Sequence, residues 1–351
     1  MTKKIRVLVV DDSALIRQIL TKGLSMDPQI EVVGSAIDPY VARDKIIKLR
    51  PDVLTLDVEM PRMDGVEFLR KLMPQYPIPV VMVSSLTQRG KQITIEALEA
   101  GAVDFVSKPT SNVAHGMNSM LCELRKKVKN AAGANVSHWK NKTPSKPSAL
   151  MAMSSRALAE STDKVIAIGA STGGTEALKK VVCKFPATAP GVVIVQHMPP
   201  GFTKMFAERL NQLCAMEVKE AETGDRIRSG RILIAPGAKQ LTVVRSGGMY
   251  LVRCEPGEKV SGHCPSVDVM MHSIAKNVGA NAIGVMLTGM GSDGAEGMLA
   301  MRNAGARNIA QDEASCVVFG MPKVAYEKGG AEKLVPLENI AAKVISMLTE
   351  K

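Results

Sequence analysis

Short apolar, β-branched runs alternate with amphipathic stretches along the first hundred residues. Ile5–Val10, Val53–Leu56 and Val80–Val83 read as strands, and Val32-Val33 and Ala102–Val106 as shorter ones. Between them Ala14–Leu24, Val41–Leu49, Val66–Leu72 and Ile93–Ala100 carry apolar residues at helical spacing. Repeated βα units of this length predict α/β architecture with a doubly wound parallel sheet. Chemistry on such a sheet collects at the carboxyl ends of its strands.

The pattern changes after about Ser111. Asn130–Ser155 is rich in Ala, Ser, Asn, Lys and Pro and has no sustained hydrophobic period, which predicts a solvated linker. We therefore divide the chain into a first domain over 1–125, a linker over 126–160 and a second domain over 161–351. Trp139, the single tryptophan, lies in the linker; it is either an exposed aromatic or the point where the linker docks. From Val165 the alternation resumes. Val165–Ile168, Val192–Val195, Ile232–Ile234 and Ile283–Leu287 read as strands. Thr175–Lys184, Lys204–Leu213, Val267–Val278, Ala295–Ala304 and the closing Ile340–Leu348 read as helices. Leu241–Arg245 and Met249–Arg253, joined by Ser246-Gly247-Gly248, predict a β-hairpin. The second domain is thus expected to be a second doubly wound parallel sheet with a hairpin excursion.

At 351 residues the chain has room for two such domains. Its 46% hydrophobic and 23% charged residues suit buried cores. No apolar run approaches the ~18 residues needed to span a bilayer. The opening Met1-Thr2-Lys3-Lys4 leads directly into a strand, without a signal peptide's apolar region. A cytoplasmic protein without direct membrane insertion is expected. The six cysteines form no C-x-x-C pair, so neither a zinc site nor a redox motif is expected, and most read as small buried hydrophobes. A net charge of +11 permits nucleic acid or an acidic protein surface as partner. Aromatics at 3% argue against base stacking.

Three aspartates end strands of the first domain: Asp11 and Asp12 after the first, Asp57 after the third. Carboxylates gathered in one pocket raise one another's pKa unless a cation sits among them, and an oxygen donor set suits Mg²⁺. Ser84 and Lys108 end later strands, and a hydroxyl and a lysine beside metal-bound carboxylates suit an incoming phosphoryl group. The stretches Val10-Asp11-Asp12-Ser13, Leu56-Asp57-Val58-Glu59-Met60-Pro61, Met63-Asp64-Gly65, Ser84-Ser85 and Lys108-Pro109 resemble the flavodoxin-like receiver domain of bacterial response regulators. The resemblance implies that a histidine kinase supplies the phosphoryl group accepted by Asp57. It implies Mg²⁺ held by Asp11, Asp12, Asp57 and the Glu59 carbonyl, phosphoryl contacts from Ser84 and Lys108, and Phe105 as the switch aromatic.

In the second domain, Ile166-Ala167-Ile168-Gly169-Ala170-Ser171-Thr172-Gly173-Gly174 is a strand, a Gly-rich turn and a helix start. A dinucleotide-binding turn is one reading. Against it, Ser171 stands where the middle glycine should admit the pyrophosphate, and Gln196-His197, not an acid, follows the next strand. The other reading is a nucleophile elbow, G-x-S-x-G, exposing the Ser171 hydroxyl at the top of a sheet. Such a serine needs a base, and His197 at the end of the neighbouring strand is the leading candidate. His115 and His138 lie in the receiver tail and linker, His263 in a Gly-rich loop and His272 within a helix; all fit less well. Asp293, after the strand at Ile283–Leu287, is placed to orient the imidazole. The order Ser, His, Asp differs from the Ser, Asp, His order of α/β-hydrolases.

The stretches Gly169–Gly174, Gln196-His197-Met198-Pro199, Pro265-Ser266-Val267-Asp268, Leu287–Gly294 and Gly320-Met321-Pro322 resemble the Rossmann-like catalytic domain of the chemotaxis protein-glutamate methylesterases. That resemblance implies Ser171 as nucleophile, His197 as base, Asp293 as orienting carboxylate, and the backbone N–H groups of Thr172 and Met290 as the oxyanion hole. It implies a phosphorylation-activated esterase and deamidase of chemoreceptor cytoplasmic helices that acts as a monomer without a cofactor for the esterase reaction. Two rivals stand beside it: a DNA-binding response regulator, and a scaffold with a non-catalytic C-terminal domain. The strand-rich second domain, lacking a compact helical module with a basic recognition helix, argues against the first, and an intact Ser171, His197 and Asp293 against the second.

Overall fold

The computed structural model describes residues 3–85, 87–109, 113–140 and 164–349. These form two compact units, one within the first 145 residues and one within the remainder.

The first unit is a five-stranded parallel sheet of β1 (Ile5–Val10), β2 (Ile30–Ala36), β3 (Val53–Asp57), β4 (Val80–Ser84) and β5 (Asp104–Ser107), in the order β2-β1-β3-β4-β5. Five helices connect and follow the strands: α1 (Ala14–Ser25), α2 (Pro39–Leu49), α3 (Gly65–Leu72), α4 (Gln88–Glu99) and α5 (Val113–Ala132). Ser13, Asp38, Asp64 and Thr87 each cap the next helix by accepting a backbone N–H. The strand order is that of the flavodoxin-like fold, with β1 and β3 adjacent, so Asp11, Asp12 and Asp57 leave the sheet side by side.

Helix α5 departs from the sequence reading, which saw only a receiver tail there; position 125 falls inside it. Its buried Met120, Leu121, Leu124, Val128 and Ala131 keep a helical period. The lysines, arginine and glutamate between them conceal the stripe behind a linker-like composition. Just beyond, the Trp139 indole packs on the first unit: a Cβ at Gly101 would lie 3.0 Å from Trp139 Cε2. Of the two readings open for Trp139, docking is the one the structure takes. The rest of the expected linker, 141–160, lies outside the described residues.

The second unit has a seven-stranded parallel sheet. Its strands are β6 (Val165–Ala170), β7 (Gly191–Gln196), β8 (Glu217–Glu220), β10 (Arg231–Ile234), β13 (Ala282–Met286), β14 (Arg307–Gln311) and β15 (Lys333–Val335), in the order β15-β14-β13-β6-β7-β10-β8. A three-stranded antiparallel sheet carries the hairpin of β11 (Gln240–Ser246) and β12 (Met249–Glu255), with β9 (Arg226–Ile227) on its edge. The helices are α6 (Gly174–Val182), α7 (Phe202–Asn211), α8 (Val267–Asn277), α9 (Ala295–Asn303), α10 (Met321–Glu327) and α11 (Leu337–Thr349). Sequence reading missed β14 because Asn308 and Gln311 interrupt its apolar run. Both are fully buried and satisfied: Asn308 accepts from Gly284 N–H and donates to the Met298 and Gly330 carbonyls, and Gln311 accepts from Thr288 N–H and donates to the Ser315 carbonyl.

The first strand of this unit, β6, lies at the centre, with β7 on one side and β13 on the other. The chain therefore winds away from β6 in both directions, and the crevice at that switch point is the natural ligand position. Residues Ser171, His197 and Asp293 follow β6, β7 and β13 respectively.

Candidate active site

In the first unit the carboxylates of Asp11, Asp12 and Asp57 each bring an oxygen within 4.8 Å of the others. Asp11 and Asp57 are buried and Asp12 is exposed. Lys108, carried at the end of β5, bridges the two buried acids, its Nζ 2.9 Å from Asp57 Oδ1 and 3.0 Å from Asp11 Oδ2. Burial pushes the Asp57 carboxyl up to about 6; Lys108 opposes this and the Asp11 charge adds to it. Burial would lower Lys108, but Asp57 and Asp11 outweigh it and hold its pKa above the ordinary 10.5. Three carboxylate oxygens gathered this closely, two of them from buried side chains, are a donor set chemically fitted to a hard cation.

The Ser84 hydroxyl, one strand over, is turned towards α4: its Oγ lies 3.1 Å from the Gly90 carbonyl and accepts from Thr94 Oγ1 at 2.5 Å. Thr94 escaped the sequence reading because it sits mid-helix. Phe105 is buried, with Lys127 Nζ 5.1 Å from its ring centroid. The Glu59 side chain is exposed, two residues beyond Asp57.

In the second unit three side chains from three strand ends form one chain of contacts. Ser171 Oγ lies 3.1 Å from His197 Nδ1, and His197 Nε2 lies 2.8 Å from Asp293 Oδ2. The ring presents Nδ1 to the serine and Nε2 to the carboxylate, the reverse of the chymotrypsin-type arrangement. The chemistry is preserved when Nε2 carries the proton and Nδ1 accepts. Gly173, in the left-handed region at φ 75°, closes the turn that presents Ser171. Gln196 Nε2 donates to the Ser171 carbonyl at 2.9 Å and braces the same turn.

Asp293 is held by more than the histidine. Its Oδ1 accepts from Ser266 Oγ at 2.7 Å and from Asp268 N–H at 3.2 Å, and its Oδ2 accepts from Val267 N–H at 2.7 Å. The carboxylate thus sits on the N-terminus of α8, where orphan N–H groups and the helix dipole favour negative charge. Burial pushes its pKa up, but His197 and these hydrogen bonds prevail and hold it below the ordinary carboxylate value. Burial moves neighbouring Asp268 the other way, upward. Of two adjacent buried acids, only the one facing the imidazole has its pKa held down. Asp293 therefore anchors a helix, but it is α8 from a distance and not the helix that follows it.

Two neighbours complete the site. Gly289 lies against the serine: a Cβ there would stand 2.8 Å from Ser171 Cβ and 3.2 Å from Ser171 N. Thr172 is buried and Met290 is exposed, and their chain neighbours tie them to one frame through Ser171 N–H to the Thr288 carbonyl at 3.0 Å. His263, set aside on sequence as a loop residue, stacks on His197 with ring centroids 3.7 Å apart and planes 5° from parallel. The signal for it was its neighbour, the Pro265–Asp268 stretch that lies against Asp293.

The family model described as CheB methylesterase matches residues 166–344, and that described as response regulator receiver domain matches residues 7–115. The protein-glutamate methylesterase/protein-glutamine glutaminase of Syntrophotalea carbinolica is 74% identical over 351 residues, covering 100% of this chain and 99% of the relative. The protein of the same name from Sulfurimonas denitrificans is 56% identical, with 99% of each chain covered. The crystal structure of the Thermotoga maritima CheB methylesterase catalytic domain matches 52% of this chain and 98% of its own, at 38% identity and a TM-score of 0.51. With two domain matches in this order and relatives matched over their full length, the chain belongs to the protein-glutamate methylesterase/protein-glutamine glutaminase family, a response-regulator receiver joined to a methylesterase domain.

Proposed function

We propose that this chain is a serine hydrolase that removes methyl esters from glutamates, and deamidates glutamines, on the cytoplasmic helices of chemoreceptors, under the control of phosphorylation at Asp57. The observation that carries the reading is the Ser171–His197–Asp293 line across the switch point of the second sheet, with contacts of 3.1 and 2.8 Å.

The residues support acyl transfer in two halves. His197 Nδ1 takes the Ser171 proton as Oγ attacks the side-chain carbonyl. Asp293, ionised on the α8 N-terminus, stabilises the imidazolium through Nε2–H. The N–H groups of Thr172 and Met290 receive the oxyanion. His197 returns the proton to the leaving group, methanol from an ester or ammonia from an amide. Water, deprotonated by His197, then releases the carboxylate from Ser171. No cofactor is needed for these steps.

In the acidic pocket Asp11, Asp12, Asp57 and the Glu59 carbonyl would hold Mg²⁺, which when bound offsets the negative charge around Asp57 and the incoming phosphoryl group. Asp57 accepts the phosphoryl group from a histidine kinase. Lys108 and, after its hydroxyl turns from Gly90, Ser84 contact the new oxygens, and Phe105 follows as the switch aromatic. Phosphorylation adds about two negative charges at Asp57 and releases the hydrolase from restraint.

We assign the receiver to the first unit through α5, the linker to the segment that follows, and the catalytic domain to 161–351. We assign action as a monomer. Among the described residues no helix is long and apolar enough to cross a membrane, in keeping with a cytoplasmic enzyme that reaches receptor helices from solution. The test is methanol and ammonia release from methylated and amidated receptor, with and without a small-molecule phosphodonor. The proposal expects methanol release that rises with the phosphodonor; no release in either condition would overturn it.

A further inference from the structure

The two helices that start beside the reacting groups also end beside each other. Helix α6 begins three residues after Ser171 and ends at Cys183, which caps it. Helix α7 begins five residues after His197, and Cys214 N–H still bonds back to the Leu210 carbonyl of that helix at 2.9 Å. Cys183 Sγ and Cys214 Sγ lie 3.3 Å apart. Both thiols are half-buried, and residues 211–213 and 215 around Cys214 are exposed. A small oxidant can therefore reach the pair from the solvent side. Closing to a disulfide length of about 2.05 Å requires an approach of about 1.2 Å, within the reach of two side chains at helix ends.

We propose that Cys183 and Cys214 are a reversible redox modification site, an intramolecular clasp across the trailing ends of α6 and α7. The oxidant is a small disulfide such as oxidised glutathione. One cysteine, as thiolate, attacks a sulfur of the oxidant, breaking its S–S bond and expelling one small thiolate. The second cysteine loses its proton and attacks the mixed disulfide, forming the Cys183–Cys214 bond and expelling the other small thiolate. Two protein thiols are oxidised and one small disulfide is reduced to two small thiols. In a reducing compartment the clasp stands open. The contact with Cys183, and then burial, push the Cys214 thiol's pKa upward.

The clasp joins elements 31 residues apart in sequence, so it restricts the unfolded chain. It lies at the ends of α6 and α7 away from Ser171 and His197, so it stabilises the domain without moving them. The experiment incubates the full chain with oxidised glutathione, then applies peptide mapping without reductant and thermal melting before and after dithiothreitol. A linked Cys183–Cys214 peptide, a melting temperature raised by several degrees in the oxidised form, and reversal by dithiothreitol are expected. Cys183→Ser and Cys214→Ser should each yield no such peptide and no oxidant-dependent rise. Linkage through any other cysteine, glutathione adducts without a Cys183–Cys214 link, or a link that leaves the melting temperature unchanged or lower would overturn the proposal.

Discussion

His263 lies flat on His197, ring centroid to ring centroid 3.7 Å and only 5° from parallel. The His197 imidazole is thereby fixed in three directions: Ser171 at one nitrogen, Asp293 at the other, and an aromatic face against its plane. A stacked ring contributes about 0.5–1.5 kcal/mol beyond its area. His263→Ala should accordingly lower kcat by about 2–10-fold with a smaller change in KM. His263→Phe, which keeps a flat ring, should recover most of the loss. Steady-state methanol release from methylated receptor measures both; equal defects in the two variants would exclude the stack as the cause.

Asp293 should prove both catalytic partner and structural anchor. Its four hydrogen-bond partners include three groups at the α8 N-terminus. Asp293→Asn should retain more activity than His197→Ala, since the role proposed for Asp293 is to orient the imidazole and not to bond substrate. It should also lower the melting temperature, which Ser171→Ala should not. The pH dependence has a definite sign. A carboxylate held below its unfolded value of about 3.9 adds stability that is full above that pH and is lost as pH falls through the lower folded value. The stability gap between wild type and Asp293→Asn should be widest above about pH 4 and narrow below it. A gap that widened on acidification, read by urea melts, would contradict the ionised assignment.

Gly289→Ala tests how tightly the serine is placed. The new methyl would stand 2.8 Å from Ser171 Cβ and would also meet the Met321 thioether, so the serine turn must shift. Displacements approaching 1 Å cost on the order of 100-fold in rate. We expect kcat/KM to fall by about 10- to 100-fold while circular dichroism stays that of a folded protein. An unimpaired variant would mean that the Ser171 loop yields without cost.

The acidic pocket is tested by Mg²⁺ and by Asp57→Asn. Mg²⁺ should raise the melting temperature of wild type, and Asp11→Asn should blunt that rise by removing one of three clustered carboxylates. Asp57→Asn should hydrolyse ester at the same rate with and without phosphodonor. Retained stimulation in that variant would place the phosphoacceptor elsewhere.

Much of this was legible because strand ends are legible. Val10-Asp11-Asp12, Leu56-Asp57 and Val195-Gln196-His197 each show an apolar run stopping at the residue that matters, and parallel order does the rest. What escaped had its signal hidden by polar residues with internal partners. β14 was masked by Asn308 and Gln311, whose amides are satisfied by backbone groups from distant segments. The stripe of α5 was diluted by the charged residues on its solvent side. His263 and Thr94 touch the sites only through tertiary packing, for which a single sequence carries no period or spacing.

The central claim is that Ser171 is the nucleophile of this hydrolase. The most direct measurement is methanol release from methylated receptor by phosphodonor-treated wild type and Ser171→Ala, at matched melting temperature. A folded Ser171→Ala reduced by about 1,000-fold or more is the predicted result. Release within a few-fold of wild type would contradict it.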